Sequence, residues 1–232
     1  MNKLPPRFCL VFDLDDTLYL ERGYVASGFR AVGRWVLDNL GIGGFGEAAQ
    51  ALFDKGARGD VFNRVFAALG VPLRAGQMEQ LVAAYRMHSP RIELEADAVD
   101  CLRKFRERAA LAMISDGHPD SQRRKIEALG LSDIFAPLVF TGAWGPEFSK
   151  PHRRAFQYIA AHAPRDAAER HMEFIYVADN PAKDFQAPLA MGWKTVRIRR
   201  SGGLHSMAPN LPGCSPGAEM PDLSRLGDCI GC

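Results

Sequence analysis

Short apolar runs alternate with helical patterns along most of the chain. The runs lie at 8–12, 111–114, 138–140, 174–177 and 195–198. Because they are continuous rather than alternating with polar residues, they are typical of strands covered on both faces of a sheet. Helical patterns follow at 120–129, 151–162 and 181–192. This alternation predicts an α/β fold with a doubly wound parallel sheet, in which sites form at the carboxyl ends of the strands.

One region, residues 20–91, interrupts the alternation. It has no strand pattern, but helical patterns at 26–40, 45–55, 60–69 and 77–88. We therefore predict a Rossmann-like core from residues 1–19 and 92–232, with a small all-helical cap domain at 20–91. Because this insert directly follows the first strand, it can form a lid over the residues that end that strand.

The end of the chain shows a different pattern. Glycine and proline are frequent from 201 to 217, which predicts an irregular connection. Residues 220–230 then resemble a short last strand and helix.

Composition excludes several classes of partner. The chain has 232 residues, of which 47% are hydrophobic and 24% charged, with a formal net charge of +2. Near-neutral charge with mixed signs gives no electrostatic footprint for nucleic acid or an anionic membrane. Apolar runs such as 109–114 are far shorter than the roughly 18 residues of a membrane span, and the first residues lack a signal-peptide pattern. We expect a cytoplasmic protein with no nucleic-acid or membrane partner, and the sequence gives no indication of oligomeric state.

The five cysteines do not favour a disulfide framework, since their number is odd. Cys229 and Cys232 have the spacing of a metal or redox pair, to which Cys214 could add a third thiolate. No second such pair and no paired histidine lies nearby. Two interpretations stay open, a loosely ordered tail and a zinc or redox site.

The first predicted strand ends in a concentration of negative charge. Asp13, Asp15 and Asp16 fall within four positions. Like charges this close repel one another and cost stability, unless a cation or a reaction uses them. Since residues i and i+2 of an extended chain point to the same side, Asp13 and Asp15 are expected to face one cavity. There Asp13 could attack phosphorus, and Asp15 could protonate the leaving oxygen and later deprotonate water.

Further polar residues follow the other predicted strands. They are Ser115, Asp116 and Gly117 after the second strand, Asp179 and Asp184 after the fourth, and Lys150 before the helix that leads into the fourth. In a parallel sheet these groups meet at one edge. Ser115, Lys150 and the backbone amides of Asp116 and Gly117 can hold phosphoryl oxygens. The carboxylates supply the hard oxygen ligands that suit Mg²⁺.

These residues resemble the four motifs of the haloacid dehalogenase-like hydrolase superfamily. The first motif, Asp-x-Asp-x-Thr after an apolar strand, is met by Asp13, Asp15 and Thr17. The others are met by Ser115, by Lys150 before Pro151, and by Asp179 with Asp184. The order and rough spacing agree over about residues 8–200. The fourth motif departs mildly, because Ala178 precedes Asp179 where the family often has Gly or Asp.

The resemblance implies a Rossmann-like core, a required Mg²⁺ and phosphomonoester hydrolysis through an aspartyl-phosphate. It also implies that Asp13 and Asp179 bind the metal by side chain, Asp15 by its backbone carbonyl, and Asp184 through water. The dehalogenase branch lacks a carboxylate at the position of Asp15, which favours a phosphatase. The expected substrate is a small soluble phosphate ester, such as a sugar phosphate or a nucleoside monophosphate. The alternatives are a phosphotransferase or phosphomutase of the same family, and a non-catalytic phosphate-binding module.

Overall fold

The computed structural model describes residues 8–164 and 172–230. The chain divides into two compact units. One unit is formed by the residues up to Glu21 and from Glu93 onward, and the other by Arg22–Ile92. Among the described residues, no helix combines the length and the apolar character that crossing a membrane requires.

The first unit is built on a parallel sheet. Its strands are β1 (Phe8–Phe12), β2 (Ala110–Ser115), β3 (Leu138–Phe140), β4 (Glu173–Ala178), β5 (Lys194–Ile198) and β6 (Ala218–Met220). Their order is β3-β2-β1-β4-β5-β6, and every neighbouring pair is parallel. All six residues of β2 are buried, as its continuous apolar pattern predicts. The predicted parallel α/β sheet is confirmed.

The helices of the described residues separate into two groups. Those of the second unit are α1 (Glu21–Leu40), α2 (Phe45–Asp54), α3 (Val61–Leu69) and α4 (Gln77–Met87), of which α1 begins at the last residue of the first unit. Those that accompany the sheet are α5 (Ala96–Phe105), α6 (Pro119–Ala128), α7 (Arg154–His162), α8 (Gln186–Ala190) and α9 (Leu226–Ile230). Short 3₁₀ helices lie at Thr141–Ala143 and Pro146–Phe148.

Helix α5 is absent from the sequence-based prediction. Its buried side chains Ala98, Cys101, Leu102 and Phe105 follow a helical period, but charged residues separate them. The apolar stripe is therefore narrow, and it follows an extended segment that offers no clear helix start. The helix is held to the sheet by burial of this stripe.

The second unit has its own aromatic core. Phe29 packs edge-on against Phe53 and Phe62, and Phe45 packs against Phe66 with ring centroids 4.9 Å apart. A Cβ added to Gly33 would lie 2.9 Å from the backbone nitrogen of Gly46, so the glycines allow α1 and α2 to approach closely. The placement of this unit as a lid stays a prediction.

Candidate active site

The site lies where β1 and β4 end. These strands are parallel neighbours, so Asp13 after β1 and Asp179 after β4 emerge at the same edge of the sheet. The backbone N–H of Asp13 donates to the carbonyl of Val177 at 2.9 Å, which extends the pairing to the acid itself. Oxygens of Asp13, Asp179 and Asp184 all lie within 4.8 Å of one another, and the three residues are buried. The sheet therefore gathers three carboxylates at one point.

Lys150 joins two of these acids. Its ammonium lies 2.6 Å from Asp13 Oδ1, 2.7 Å from Asp184 Oδ1 and 3.0 Å from the Tyr176 hydroxyl. Burial alone would lower the pKa of Lys150, but the charges of Asp13 and Asp184 outweigh burial and raise that pKa well above its usual value. The side chain is therefore a fixed positive charge.

The ammonium of Lys150 does not balance three buried carboxylates. Burial raises the pKa of Asp13 to about 6, assisted by the charge of Asp184 and opposed by Lys150. Burial, with the charges of Asp184 and Asp13, also raises the pKa of Asp179 well above its usual value. A divalent cation would offset this negative charge, and carboxylate oxygens are the ligands that Mg²⁺ prefers. The donor set thus fits the metal that the family implies.

Asp15 lies in a different arrangement. Both of its oxygens accept from the Lys125 ammonium, at 2.7 and 2.9 Å, and Oδ1 also accepts from the Tyr19 hydroxyl. Its carboxylate is not part of the group formed by Asp13, Asp179 and Asp184. The charge of Asp15 nevertheless contributes to raising the pKa of Asp13, so the two side chains are within electrostatic reach. Its metal contact through the backbone carbonyl stays a prediction.

The carboxylate of Asp116 is used by the protein itself. Its Oδ1 accepts from Thr141 Oγ1 at 2.8 Å and from the Lys150 backbone N–H at 3.1 Å, and its Oδ2 accepts from Lys183 Nζ at 2.8 Å. These bonds connect the segments that follow β2, β3 and β4. Phosphate binding by Asp116, through its backbone amide, stays a prediction.

Ser115 and Gly117 flank that residue. The buried Ser115 hydroxyl donates to Gln122 Oε1 at 3.0 Å, and Gly117 adopts a φ of 114°, which favours glycine. Both lie at the carboxyl end of β2. Their binding of phosphoryl oxygens stays a prediction.

Sequence reasoning missed several residues that shape the site. They are Gln122 and Lys125 of α6, Tyr176 of β4, Lys183 and Arg197. Tyr176 is concealed inside an apolar run, and the others are polar residues at positions that resemble a solvated helix face or a strand edge. One signal in the sequence could have found Lys125, because this lysine falls in line with the buried positions of α6.

Arg197 holds the backbone of Asp179 through a hydrogen bond. This fully buried side chain of β5 donates from Nε to the Asp179 carbonyl at 3.1 Å. Its other nitrogens donate to Asn210 Oδ1 and to the carbonyls of His205 and Ala208. The segment beyond β5 is thereby tied to the residue that begins the fourth motif.

A close backbone contact next to Gly117 gives a first testable prediction. A Cβ added to Gly142 would lie 2.0 Å from the Gly117 carbonyl oxygen. We expect Gly142→Ala to displace the Gly117 turn, to destabilise the protein by about 1–3 kcal/mol, and to reduce kcat/KM by roughly 10-fold. Urea unfolding and steady-state kinetics measure both effects.

Gly43→Ala is the matched control, because its added Cβ would meet no atom within 4 Å. Equal behaviour of the two variants would contradict the proposed displacement.

The structure describes two of the three cysteines of the predicted thiolate site. Cys214 is partly exposed and Cys229 is exposed, and both are free. Cys232 lies outside the described residues. Within those residues, the three aspartates at the sheet edge form the one cluster of possible metal ligands.

Two relatives of established name resemble the chain. It is 31% identical over 161 residues to the phosphoserine phosphatase of Thermus thermophilus, a match that covers 68% of this chain and 58% of that protein. It is 28% identical over 199 residues to the glyceraldehyde 3-phosphate phosphatase of Methanocaldococcus jannaschii, covering 82% and 83%. The match thus spans little more than half the length of the Thermus protein.

A solved structure shares the fold. The HAD-hydrolase YfnB of Bacillus subtilis, solved bound to magnesium, superimposes with a TM-score of 0.71 at 18% identity, and the match covers 98% of this chain and 100% of that one. Residues 9–192 match the haloacid dehalogenase-like hydrolase family. With its motif residues at one edge of a parallel sheet, the chain belongs to that family of hydrolases.

Proposed function

We propose that this chain is a Mg²⁺-dependent phosphatase that hydrolyses a small phosphate monoester through an aspartyl-phosphate on Asp13. The observation that carries the proposal is the convergence of Asp13, Lys150, Asp179 and Asp184, with an ammonium 2.6 Å from the nucleophile and three carboxylates within 4.8 Å. The relatives named as phosphatases support the same reaction class.

The metal would be held by Asp13 and Asp179, with Asp184 assisting. When bound, Mg²⁺ would offset the charge of the phosphoryl oxygens and of the surrounding acids. Lys150 supplies a second positive charge that does not depend on the metal. It keeps the Asp13 carboxylate oriented and ionised at neutral pH, where a nucleophile must be unprotonated.

The first half-reaction transfers the phosphoryl group to the protein. An oxygen of Asp13 forms a bond to phosphorus while the bond from phosphorus to the ester oxygen breaks. The departing oxygen keeps the electron pair of that bond and takes a proton from Asp15. Lys150, Ser115 and the amides of Asp116 and Gly117 stabilise the charge that develops on the phosphoryl oxygens.

The second half-reaction restores the enzyme. A water oxygen attacks phosphorus, one water proton passes to Asp15, and the bond from phosphorus to Asp13 breaks. Orthophosphate leaves, and Asp13 is again ionised. Asp15 therefore acts first as an acid and then as a base, and it ends the cycle in its starting protonation state.

The substrate is proposed by class. The named substrates of the two relatives, phosphoserine and glyceraldehyde 3-phosphate, are small phosphate esters. These names support a small phosphomonoester here, with a sugar phosphate or nucleoside monophosphate as the narrower expectation. No observation favours phosphotransfer to another hydroxyl, and the presence of Asp13, Asp15 and Lys150 together argues against a module that only binds phosphate. The cytoplasmic location stays a prediction.

Metal removal tests the proposal. Release of orthophosphate from 4-nitrophenyl phosphate is measured with Mg²⁺, after EDTA treatment, and after Mg²⁺ is restored. We expect EDTA to abolish turnover and Mg²⁺ to restore it, because the buried carboxylates need the cation before they can accept a dianionic ester. We expect Asp179→Asn to lower turnover by about 100-fold or more at limiting Mg²⁺.

Asp100→Asn is the matched control, since Asp100 is an exposed acid that pairs with Arg103. Turnover that is unaffected by EDTA would contradict the metal-dependent mechanism. Halide release from a 2-haloacid without phosphate release would assign the protein to the dehalogenase reaction instead.

A further inference from the structure

Helix α6 buries polar side chains where a helix that covers a sheet usually buries apolar ones. Its buried residues are Ser121, Gln122, Lys125 and Ile126. Lysine is almost never fully buried unless it is paired, yet the Lys125 side chain is only 3% exposed. A charged side chain therefore lies on the buried face of α6, and its burial must be explained.

Lys125 pairs with Asp15. The Lys125 ammonium contacts both of its carboxylate oxygens, at 2.7 and 2.9 Å, although 110 residues separate the two in sequence. The hydroxyl of the buried Tyr19 donates to the same carboxylate. Contacts from two directions restrict rotation of the Asp15 side chain, while 21% exposure leaves part of it open.

Stability alone does not account for this pair. Removing a lysine from water costs several kcal/mol, and ion pairs in such positions are often no more stabilising than apolar residues of similar volume. Gln122 lies three residues before Lys125 on α6, and it accepts a hydrogen bond from the Ser115 hydroxyl. One face of α6 thus contacts both Ser115 and Asp15, which the sequence analysis assigns to the reaction. These contacts indicate that the helix positions the two side chains.

We infer that Lys125 is a positioning residue that holds the Asp15 carboxyl group in the orientation needed to give its proton to the departing ester oxygen. The inference rests on the proposed function. In that step the proton moves from Asp15 to the ester oxygen as the bond to phosphorus breaks, and Lys125 keeps its own protons throughout. When Asp15 becomes negative, both of its oxygens accept from Lys125, as they do in the structure.

Leaving-group dependence tests this role. Phenyl phosphate and 4-nitrophenyl phosphate have similar shapes, but phenolate is a poor leaving group that needs a proton, whereas 4-nitrophenolate departs readily as an anion. The quantity kcat/KM reports the steps up to departure of the phenol. We expect Lys125→Met to lower kcat/KM by about 10- to 100-fold for phenyl phosphate and by less than about 3-fold for 4-nitrophenyl phosphate. Lys125→Arg should recover most of the loss.

The ratio between the two esters is the decisive readout, because a loss of folded protein lowers both rates equally and leaves that ratio unchanged. Arg123→Met is the matched control, since Arg123 lies on the same helix in an exposed pair with Asp120. It should leave the ratio at the wild-type value. Unfolding midpoints of all variants are measured alongside.

A double-mutant cycle gives a second readout. In an Asp15→Asn background, Lys125→Met should change kcat/KM for phenyl phosphate by less than about 2-fold, because the group that it positions no longer carries a transferable proton. Equal losses for both esters, or fully additive losses in the cycle, would overturn the inference alone. Absence of Mg²⁺-dependent turnover in the wild-type protein would overturn the proposed function, and this inference with it.

Discussion

Replacement of Lys150 by methionine is expected to destabilise the metal-free protein by about 3–5 kcal/mol and to reduce phosphatase turnover by roughly 1000-fold or more. Lys150 is buried, and its ammonium is shared by Asp13 and Asp184 at 2.6 and 2.7 Å. Methionine keeps most of the side-chain volume but removes the charge. Two buried carboxylates then lose the ammonium that both of them contact.

The loss of stability should depend on pH. Without Lys150 the acids escape their mutual repulsion by binding protons, which is easier at pH 5 than at pH 8. Urea unfolding at these two pH values should therefore show the larger destabilisation at pH 8.

Lys194→Met is the matched control for this change. Lys194 pairs with Glu173 on the surface, with its side chain 56% exposed, so its loss should cost less than about 0.5 kcal/mol. Equal free energies of unfolding for the two variants would contradict the assignment of Lys150 as the internal cation of the site.

Asp13→Asn is expected to have opposite effects on activity and stability. Turnover should fall by at least about 10,000-fold, because an amide cannot form the acyl phosphate. The metal-free protein should nevertheless become more stable at pH 8, by on the order of 2 kcal/mol. Burial raises the pKa of Asp13 to about 6, so the folded protein opposes ionisation of this group. Lys150 keeps Asp184 as a partner in the variant.

The sign of the pH dependence follows from that shift. A carboxyl group with a raised pKa in the folded state costs stability when it is ionised. The wild-type protein therefore gains stability as the pH falls from about 6 to about 4, which is near the ordinary pKa of an aspartate. The advantage of Asp13→Asn should be complete above about pH 6 and absent below about pH 4. Unfolding of both proteins in EDTA between pH 4 and pH 8 measures it. A variant that is less stable than wild type at pH 8 would contradict the interpretation that the metal-free site carries excess negative charge.

The strand ends of this fold were readable from the sequence. Continuous apolar runs identify β1, β2 and β4, and parallel pairing brings the residues that follow them together. Asp13, Lys150, Asp179 and Asp184 could therefore be predicted to meet before any distance was known. Their roles in the reaction stay proposals.

The supporting residues could not be predicted, because their function depends on three-dimensional contacts. Lys125 and Gln122 occupy a helix face that reads as solvated until its packing is known. The expectation that Asp13 and Asp15 face one cavity stays a prediction. What the sequence does not indicate is that Asp15 also contacts Lys125 and Tyr19. The chain turns directly after it, at Asp16, which adopts a positive φ of 53°.

The anchoring of Asp179 by Arg197 has a consequence for protein engineering. The guanidinium that holds the Asp179 carbonyl is itself fixed by the carbonyls of His205 and Ala208 and by Asn210. The loop from 201 to 217 has the glycine- and proline-rich composition usually chosen for opening a chain, as in circular permutation or the insertion of a reporter domain. A permutant opened there would retain Asp13, Asp179 and Asp184 but would lose the contacts that hold the Asp179 backbone, so new termini belong elsewhere on the surface.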